Sequence, residues 1–195
     1  EIGDKPYGIP TTDEVRIQSS QELIDDLTGK PYYIATKMDG TSCTIYFNNG
    51  QVGVCGRNKE YKETTASGYW KLAHLYKIPE KLTGLGKNIA LQGEYCGEKI
   101  QKNRLKLQKP KFFIFNVYDI DTATYYNYRD FRDIITHLGL ETVPVEEEGE
   151  NFNYSLDELL EKANGKYPSG LDKEGIVIRS QENAEDGKFL SFKVI

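Results

Sequence analysis

A chain of 195 residues is one or at most two domains long at roughly 100 to 200 residues each, and 38% hydrophobic with 28% charged residues is an ordinary globular balance. No run approaches the roughly 20 apolar residues of a membrane span, and the start, EIGDKPYGIP, has neither the basic nor the apolar part of a secretory leader. A net charge of −5 excludes a general nucleic-acid binder held by a global positive field.

In chain order, Ser19-Ser20-Gln21-Glu22 has capping-box spacing and predicts a short helix through Leu23–Leu27, closed by Gly29 and Pro31. Residues 32–37 (YYIATK) and 42–47 (SCTIYF) are β-branched and aromatic, and Asn49-Gly50 predicts a hairpin joining the second run to 51–55. Large apolar residues at helical spacing mark Tyr69–Lys77 as a helix. Residues 88–95 and 111–120 read as strands, the second so continuously apolar that it is expected to be central.

Helices follow at 128–138, ending at Gly139, and at 155–163, where Ser155 and Glu158 make a second capping box. The acidic run EEEGE at 146–150 reads as a solvated loop. The last strands are 174–180 and 188–195, joined by the polar loop QENAEDG; the apolar end implies a chain cut at a domain boundary or an end held inside a sheet. Helices interrupt the strands without βαβ alternation, so the expected fold is α+β, antiparallel sheets flanked by helices.

Cys43, Cys55 and Cys96 are odd in number, with no C-x-x-C pair and no histidine at ligand spacing, so neither a disulfide framework nor a zinc site is predicted and a reducing, intracellular setting fits. His74 and His137 sit beside apolar residues in helical segments and read as packing groups, which removes His-dependent catalysis. There is no P-loop and no dinucleotide fingerprint. What remains are charged residues in apolar strands: Lys37 and Asp39 of Lys37-Met38-Asp39-Gly40, Glu94 after ALQG, Glu174 before GIVIR, and Lys193 within the final strand. Such groups are seldom buried without a partner or a task, and taken singly Lys37–Gly40 reads as a strand ending in a turn and Glu94 and Glu174 as strand-end carboxylates in ion pairs.

In this order these segments resemble the covalent nucleotidyltransferase superfamily of ATP-dependent ligases and capping guanylyltransferases, whose lysine becomes nucleotidylated within K-x-D-G. Arg57 in GVCGRN, Gly93-Glu94, Phe113–Val117, Glu174–Arg179 and Ser191-Phe192-Lys193 are similar to that family's successive motifs. Gly93–Asn103 is similar to the RNA-ligase form G-E-x-x-G-x-x-I-Q-K-N, and Ser42 stands where DNA ligases and capping enzymes usually carry Arg. The leader PTTDEVRIQ, with Arg16 and Gln18, resembles nick-sealing RNA ligases that place an OB domain before the catalytic domain; 1–195 would be the catalytic domain, without the OB domain. Two positions depart from the pattern: Thr36 stands where a Glu is frequent, and Ser191 replaces the first lysine of K-x-K, with Lys188 the nearest substitute.

The resemblance implies that Lys37 takes AMP from ATP, with Asp39, Glu94, Glu174 and Lys193 in the catalytic set. It places Arg16, Thr36, Gly40, Arg57 and Phe115, with Lys37, Glu94, Glu174 and Lys193, around the nucleotide. The chemistry suits them. A lysine with an unperturbed pKa near 10.4 must lose its proton to attack phosphorus. Two glutamates without histidine suit Mg²⁺ or Mn²⁺ held through one or two carboxylates, waters and phosphate. Lys193 would stabilise the α-phosphate, Phe115 would stack on adenine, and the fork of Arg57 suits ribose or a 5′-phosphate. Lys99, Lys102, Arg104, Lys106, Lys109 and Lys111, with no acid among them, form either a solvated loop or a track for an RNA backbone.

The expectation is a monomeric, intracellular RNA ligase catalytic domain acting on nicked duplex RNA or an RNA-containing duplex. A DNA ligase or capping guanylyltransferase is the rival enzyme, separated by nucleotide choice. A silent nucleotide- or RNA-binding module is the rival outside enzymes, separated by the absence of an AMP adduct.

Overall fold

The structure, a computed structural model, describes residues 1–17 and 21–195. Strands β1 (Gly3–Asp4), β4 (Thr41–Asn48), β5 (Gln51–Cys55), β6 (Lys59–Tyr61), β7 (Ile89–Cys96), β8 (Lys111–Asp119) and β9 (Thr124–Tyr125) form a seven-stranded antiparallel sheet in the order β1-β6-β5-β4-β7-β8-β9. Strands β2 (Val15–Arg16), β3 (Tyr32–Thr36), β10 (Val145–Gly149), β11 (Ile176–Ser180) and β12 (Ser191–Val194) form the second sheet in the order β10-β3-β11-β12-β2, parallel only between β12 and β2. Helices α1 (Glu22–Leu27), α2 (Gly68–Leu75), α3 (Ile78–Leu85), α4 (Tyr128–His137) and α5 (Leu156–Ala163) flank them, giving the α+β class expected.

Alternation along the second sheet sorts its side chains between two cores. Ile34, Ile176, Ile178, Phe192 and Val194 face α1 and α5 through Ile24, Leu27, Leu159 and Ala163. Their neighbours Tyr33 and Ala35 point the other way, into the main core that α2, α3 and α4 cover with Trp70, Leu72, Leu82, Phe131 and Ile135. A one-residue slip of β3 would exchange the two sets, so burial of both faces fixes its register.

The hairpin at Asn49-Gly50 forms as expected, both residues having positive φ (51° and 84°) and β4 pairing β5. The capping box Ser155–Glu158 is present, and Gly139 closes the α4 end at φ 67°. The expected box at Ser19 and Ser20 lies outside the described residues; its helix is present as α1. The final residues are held inside a sheet, β12 lying between β11 and β2.

Two expectations are corrected. The run at 146–150 is no solvated loop: Glu146, Glu147 and Glu148 lie in the edge strand β10, paired to β3. Each finds partners that composition hides: Thr36 and Lys173 for Glu146, Tyr32, Tyr154 and Lys162 for Glu147, and Tyr128 for Glu148. Helix α3 adds an element that the sequence reading did not assign: Lys77 in the left-handed region (φ 55°) restarts the chain and Pro79 falls in the first turn, where its missing N–H costs nothing. Strand β8 lies next to the edge strand β9, and β4 is the middle strand; the remaining side of β8 is covered by the segment 141–143 through Ile114.

Candidate active site

Consecutive strands β3 and β4 belong to different sheets, so Lys37–Gly40 is the crossover between them. Both sheets contribute to a cavity of about 280 Å³ beside it, near the lower end of small-molecule sites at roughly 300 to 1,000 Å³. Its lining includes Thr36, Lys37, Gly40, Arg57, Glu94, Phe115 and Lys193 of the expected set. Asp39 is buried behind this wall, where Oδ2 accepts a 2.8 Å hydrogen bond from the backbone N–H of Arg104. Arg16 is not part of the lining; it is exposed on β2, opposite Lys193 in register.

Lys37 leaves β3 with its backbone N–H bonded to the carbonyl of Gly175 at 3.1 Å, and its Nζ lies 3.1 Å from Glu174 Oε2. The buried hydroxyl of Tyr167 donates to the carbonyl of Lys37 at 2.6 Å and accepts the N–H of Glu174 at 3.2 Å. Burial pushes that phenol up to about 12, so it keeps its proton throughout the neutral range. Lys37 and Glu174, 137 residues apart, are thus locked together through their main chains.

The glycines of the motifs have steric reasons. A Cβ on Gly40 would stand 2.3 Å from the carbonyl oxygen of Tyr95, and one on Gly93 2.4 Å from that of Phe113. Gly175, at φ 150°, would place a Cβ 2.1 Å from the carbonyl of Val194. At Gly93 the register of β7 against β8 shifts: Gln92 pairs Asn116 while Gly93 pairs Ile114, leaving Phe115 as the extra residue of a bulge. Bulges re-aim side chains, and this one turns Phe115 into the cavity between the buried Ile114 and Asn116. Phe112 and Phe113 are core residues.

Glu94 reaches the cavity from β7. Burial foremost, then the carboxylates of Glu174 and Asp39, push its carboxyl up to about 7 against the pull of Lys37. The carboxylates of Glu94 and Glu174 near Lys37 are hard oxygen donors without histidine, which fits Mg²⁺ or Mn²⁺ held on these two with phosphate and water completing the shell. Among the described residues no group of three or more His, Cys, Asp or Glu gathers at ion-binding spacing, so the ligand set would depend on such added oxygens.

Sequence reasoning missed the wall opposite. Thr12, Asp13, Glu14, Gln101 and Arg179 also line the cavity. Arg179 is buried and donates to Glu14 Oε1 (2.5 Å), Phe115 O (2.6 Å), Asn116 Oδ1 (2.8 Å) and Ser191 Oγ (3.0 Å), joining both sheets and the leader. Ser191, the departure from K-x-K, thus serves this hub and also donates to Glu14. Thr12 bonds Ser42, and Asp13 pairs with the exposed Arg57 at 2.8 Å. Arg179 follows the apolar run Ile176-Val177-Ile178, and a charge at the end of such a strand was the available signal.

The RNA ligase family model matches residues 30–195. Solved structures of Naegleria gruberi RNA ligase are similar: a lysine-to-alanine mutant with ATP and Mn (34% identity, TM-score 0.92) and the protein with PPi (35%, 0.91) each cover 100% of this chain and 58% of theirs. A lysine-to-methionine mutant with AMP and Mn matches at 34% identity and TM-score 0.92 over the same shares. The chain thus spans a little over half the length of these relatives. No curated protein sequence matches.

Proposed function

This chain belongs to the RNA ligase family, and on that premise we propose that residues 1–195 are a nucleotidyltransferase domain that adenylylates itself on Lys37 and passes AMP to an RNA 5′-phosphate for sealing to a 3′-hydroxyl. The observation that carries this is Lys37 in the lining of a cavity that Glu94 and Lys193 also line, with its Nζ 3.1 Å from Glu174 Oε2 behind that lining.

Glu174 Oε2, at 3.1 Å, is the acceptor placed to hold or receive the proton that Lys37 must shed before attack. The free amine forms a bond to the α-phosphorus of ATP as the bond to the bridging oxygen breaks and pyrophosphate leaves with its electron pair. Lys193, reaching the cavity from β12, stabilises charge on the α-phosphate, while the bulged Phe115 offers a face for adenine. Bound through Glu94 and Glu174, Mg²⁺ or Mn²⁺ would neutralise phosphate charge. An oxygen of the RNA 5′-phosphate then takes the phosphorus from Lys37, breaking the P–N bond, and the 3′-hydroxyl displaces AMP to form the phosphodiester.

A nicked duplex as substrate and a monomeric chain belong to the same reading. Cys43, Cys55 and Cys96 are all free and buried, which supports an intracellular setting, and among the described residues no helix is long and apolar enough to cross a membrane. The test is incubation with labelled ATP or GTP and Mg²⁺, followed by a nicked RNA duplex. Label retained from ATP and transferred to the 5′-phosphate is expected; label from GTP alone would point to a capping-type enzyme and overturn the ligase reading.

A further inference from the structure

Six of the 25 lysines and arginines of this acidic chain fall within thirteen residues. From Lys99 in the loop between β7 and β8 to Lys111 at the start of β8, Lys99, Lys102, Arg104, Lys106, Lys109 and Lys111 occur with no acid among them, Glu98 standing just before, in a chain of net charge −5. Lys99, Lys102, Lys106 and Lys109 are exposed, and none forms an ion pair among the described residues; Lys111 reaches Glu141 only at 3.8 Å.

A merely solvated run has no need of a fixed backbone, and this one is anchored throughout. The N–H of Arg104 is held by Asp39 at 2.8 Å and its carbonyl by the hydroxyl of Ser169. The side-chain amide of Asn103 both donates to and accepts from the backbone of Leu107 at 3.1 Å, and Leu105 and Leu107 pack on the main core. Lys99, Gln101, Asn103 and Lys106 all take left-handed backbone angles, with φ between 45° and 65°. Non-glycine residues adopt that conformation at a cost, and it persists where surrounding contacts over-determine it. Lysines displayed on a pre-shaped chain lose less freedom on binding.

The loop is also keyed to the active site. It begins three residues after Glu94, lines the cavity through Gln101, and is tied through Arg104 to Asp39 of the turn that carries Lys37. We infer that the Gly97–Lys111 loop is the docking surface for the phosphodiester backbone of an RNA strand, leading from the cavity outward along Lys99, Lys102, Lys106 and Lys109. This rests on the RNA ligase reading and adds where the RNA lies. It also reconciles a net-negative chain with a polyanionic substrate: binding is local, through a few phosphate contacts.

The test uses Lys102→Glu with Lys106→Glu, Lys99→Glu with Lys109→Glu, and a control pair elsewhere, Lys62→Glu with Lys71→Glu, which makes the same charge change. Self-adenylylation at the wild-type rate in all three shows intact folding and nucleotide chemistry. Affinity for a nicked RNA duplex is then measured across roughly 50 to 200 mM salt. Each loop pair is expected to weaken binding at least about tenfold at low salt and to flatten the plot of log affinity against log salt by about 1 to 2 units, since each duplex phosphate contact contributes roughly 0.9. The control pair is expected to leave the slope unchanged. Wild-type affinity and slope in both loop variants, or equal loss in the control, would overturn the inference. Loss of adenylylation in the unaltered chain with RNA binding intact would instead strike the enzymatic reading, because binding is read without turnover.

Discussion

The Tyr167 hydroxyl donates to the carbonyl of Lys37 at 2.6 Å and, through its lone pair, holds the amide of Glu174 at 3.2 Å. One phenol therefore bridges the strand end that carries Lys37 and the main chain of the carboxylate that pairs with it. Tyr167→Phe keeps the ring and removes only this bridge. The expected result is a fall of roughly 10- to 100-fold in the single-turnover rate of adenylylation, as for loss of a group that orients a reactive residue, with half-saturation by ATP changed less than about twofold. An unchanged rate would show that the remaining bond, Lys37 N–H to Gly175 O, suffices.

Glu94 gives a pH-dependent stability prediction. Its carboxyl is pushed from 4.5 up to about 7 in the fold, so the folded chain holds that proton more tightly than the unfolded one. The favourable contribution is full below pH 4.5 and is lost as pH rises through 7. Glu94→Gln, which keeps the uncharged form, should therefore raise the melting temperature of metal-free protein at pH 8 by several degrees, on the order of 1 to 3 kcal/mol, and change it little at pH 4.5. The same variant should adenylylate slowly. Equal melting shifts at both pH values would contradict the assignment of the shift to this carboxyl.

Two glycines should respond oppositely to alanine. At Gly93 the added Cβ meets backbone 2.4 Å away, so Gly93→Ala should cost roughly 2 to 4 kcal/mol and weaken ATP binding by disturbing the bulge at Phe115. Gly84, exposed in α3 with nothing within 4 Å, should gain about 0.5 to 1 kcal/mol from Gly84→Ala. Denaturant midpoints of the two variants check both signs.

Arg179→Ala leaves Glu14 and Asn116 without their buried partner and should destabilise by roughly 3 to 5 kcal/mol. Because Glu14 belongs to the cavity wall, ATP affinity should fall as well, read by titration at a temperature where the variant is folded.

Much of this was legible before any coordinates. The hairpin at Asn49-Gly50, the capping box at Ser155 and the β-branched and aromatic run that forms β3 follow from local chemistry, and Lys37, Glu94 and Lys193 were visible as charges in apolar strands. What could not be read depends on partners distant in sequence. Glu146, Glu147 and Glu148 look like a loop until Tyr32, Tyr128, Lys162 and Lys173 arrive. Glu14 looks like a leader residue until Arg179 closes on it from 165 residues away. Arg16 shows the converse: a motif match placed it at the nucleotide, and the structure leaves it exposed on β2.

The most direct test of the central claim is the intact mass of the chain after incubation with ATP and Mg²⁺, with Lys37→Ala beside it. Lys37 alone combines a place in the K-x-D-G crossover with the cavity and a carboxylate partner at 3.1 Å. The account predicts one adenylyl group added to the wild-type chain, located on Lys37 by peptide mapping, and none on Lys37→Ala. An unmodified wild-type chain, or the same addition in Lys37→Ala, would contradict it.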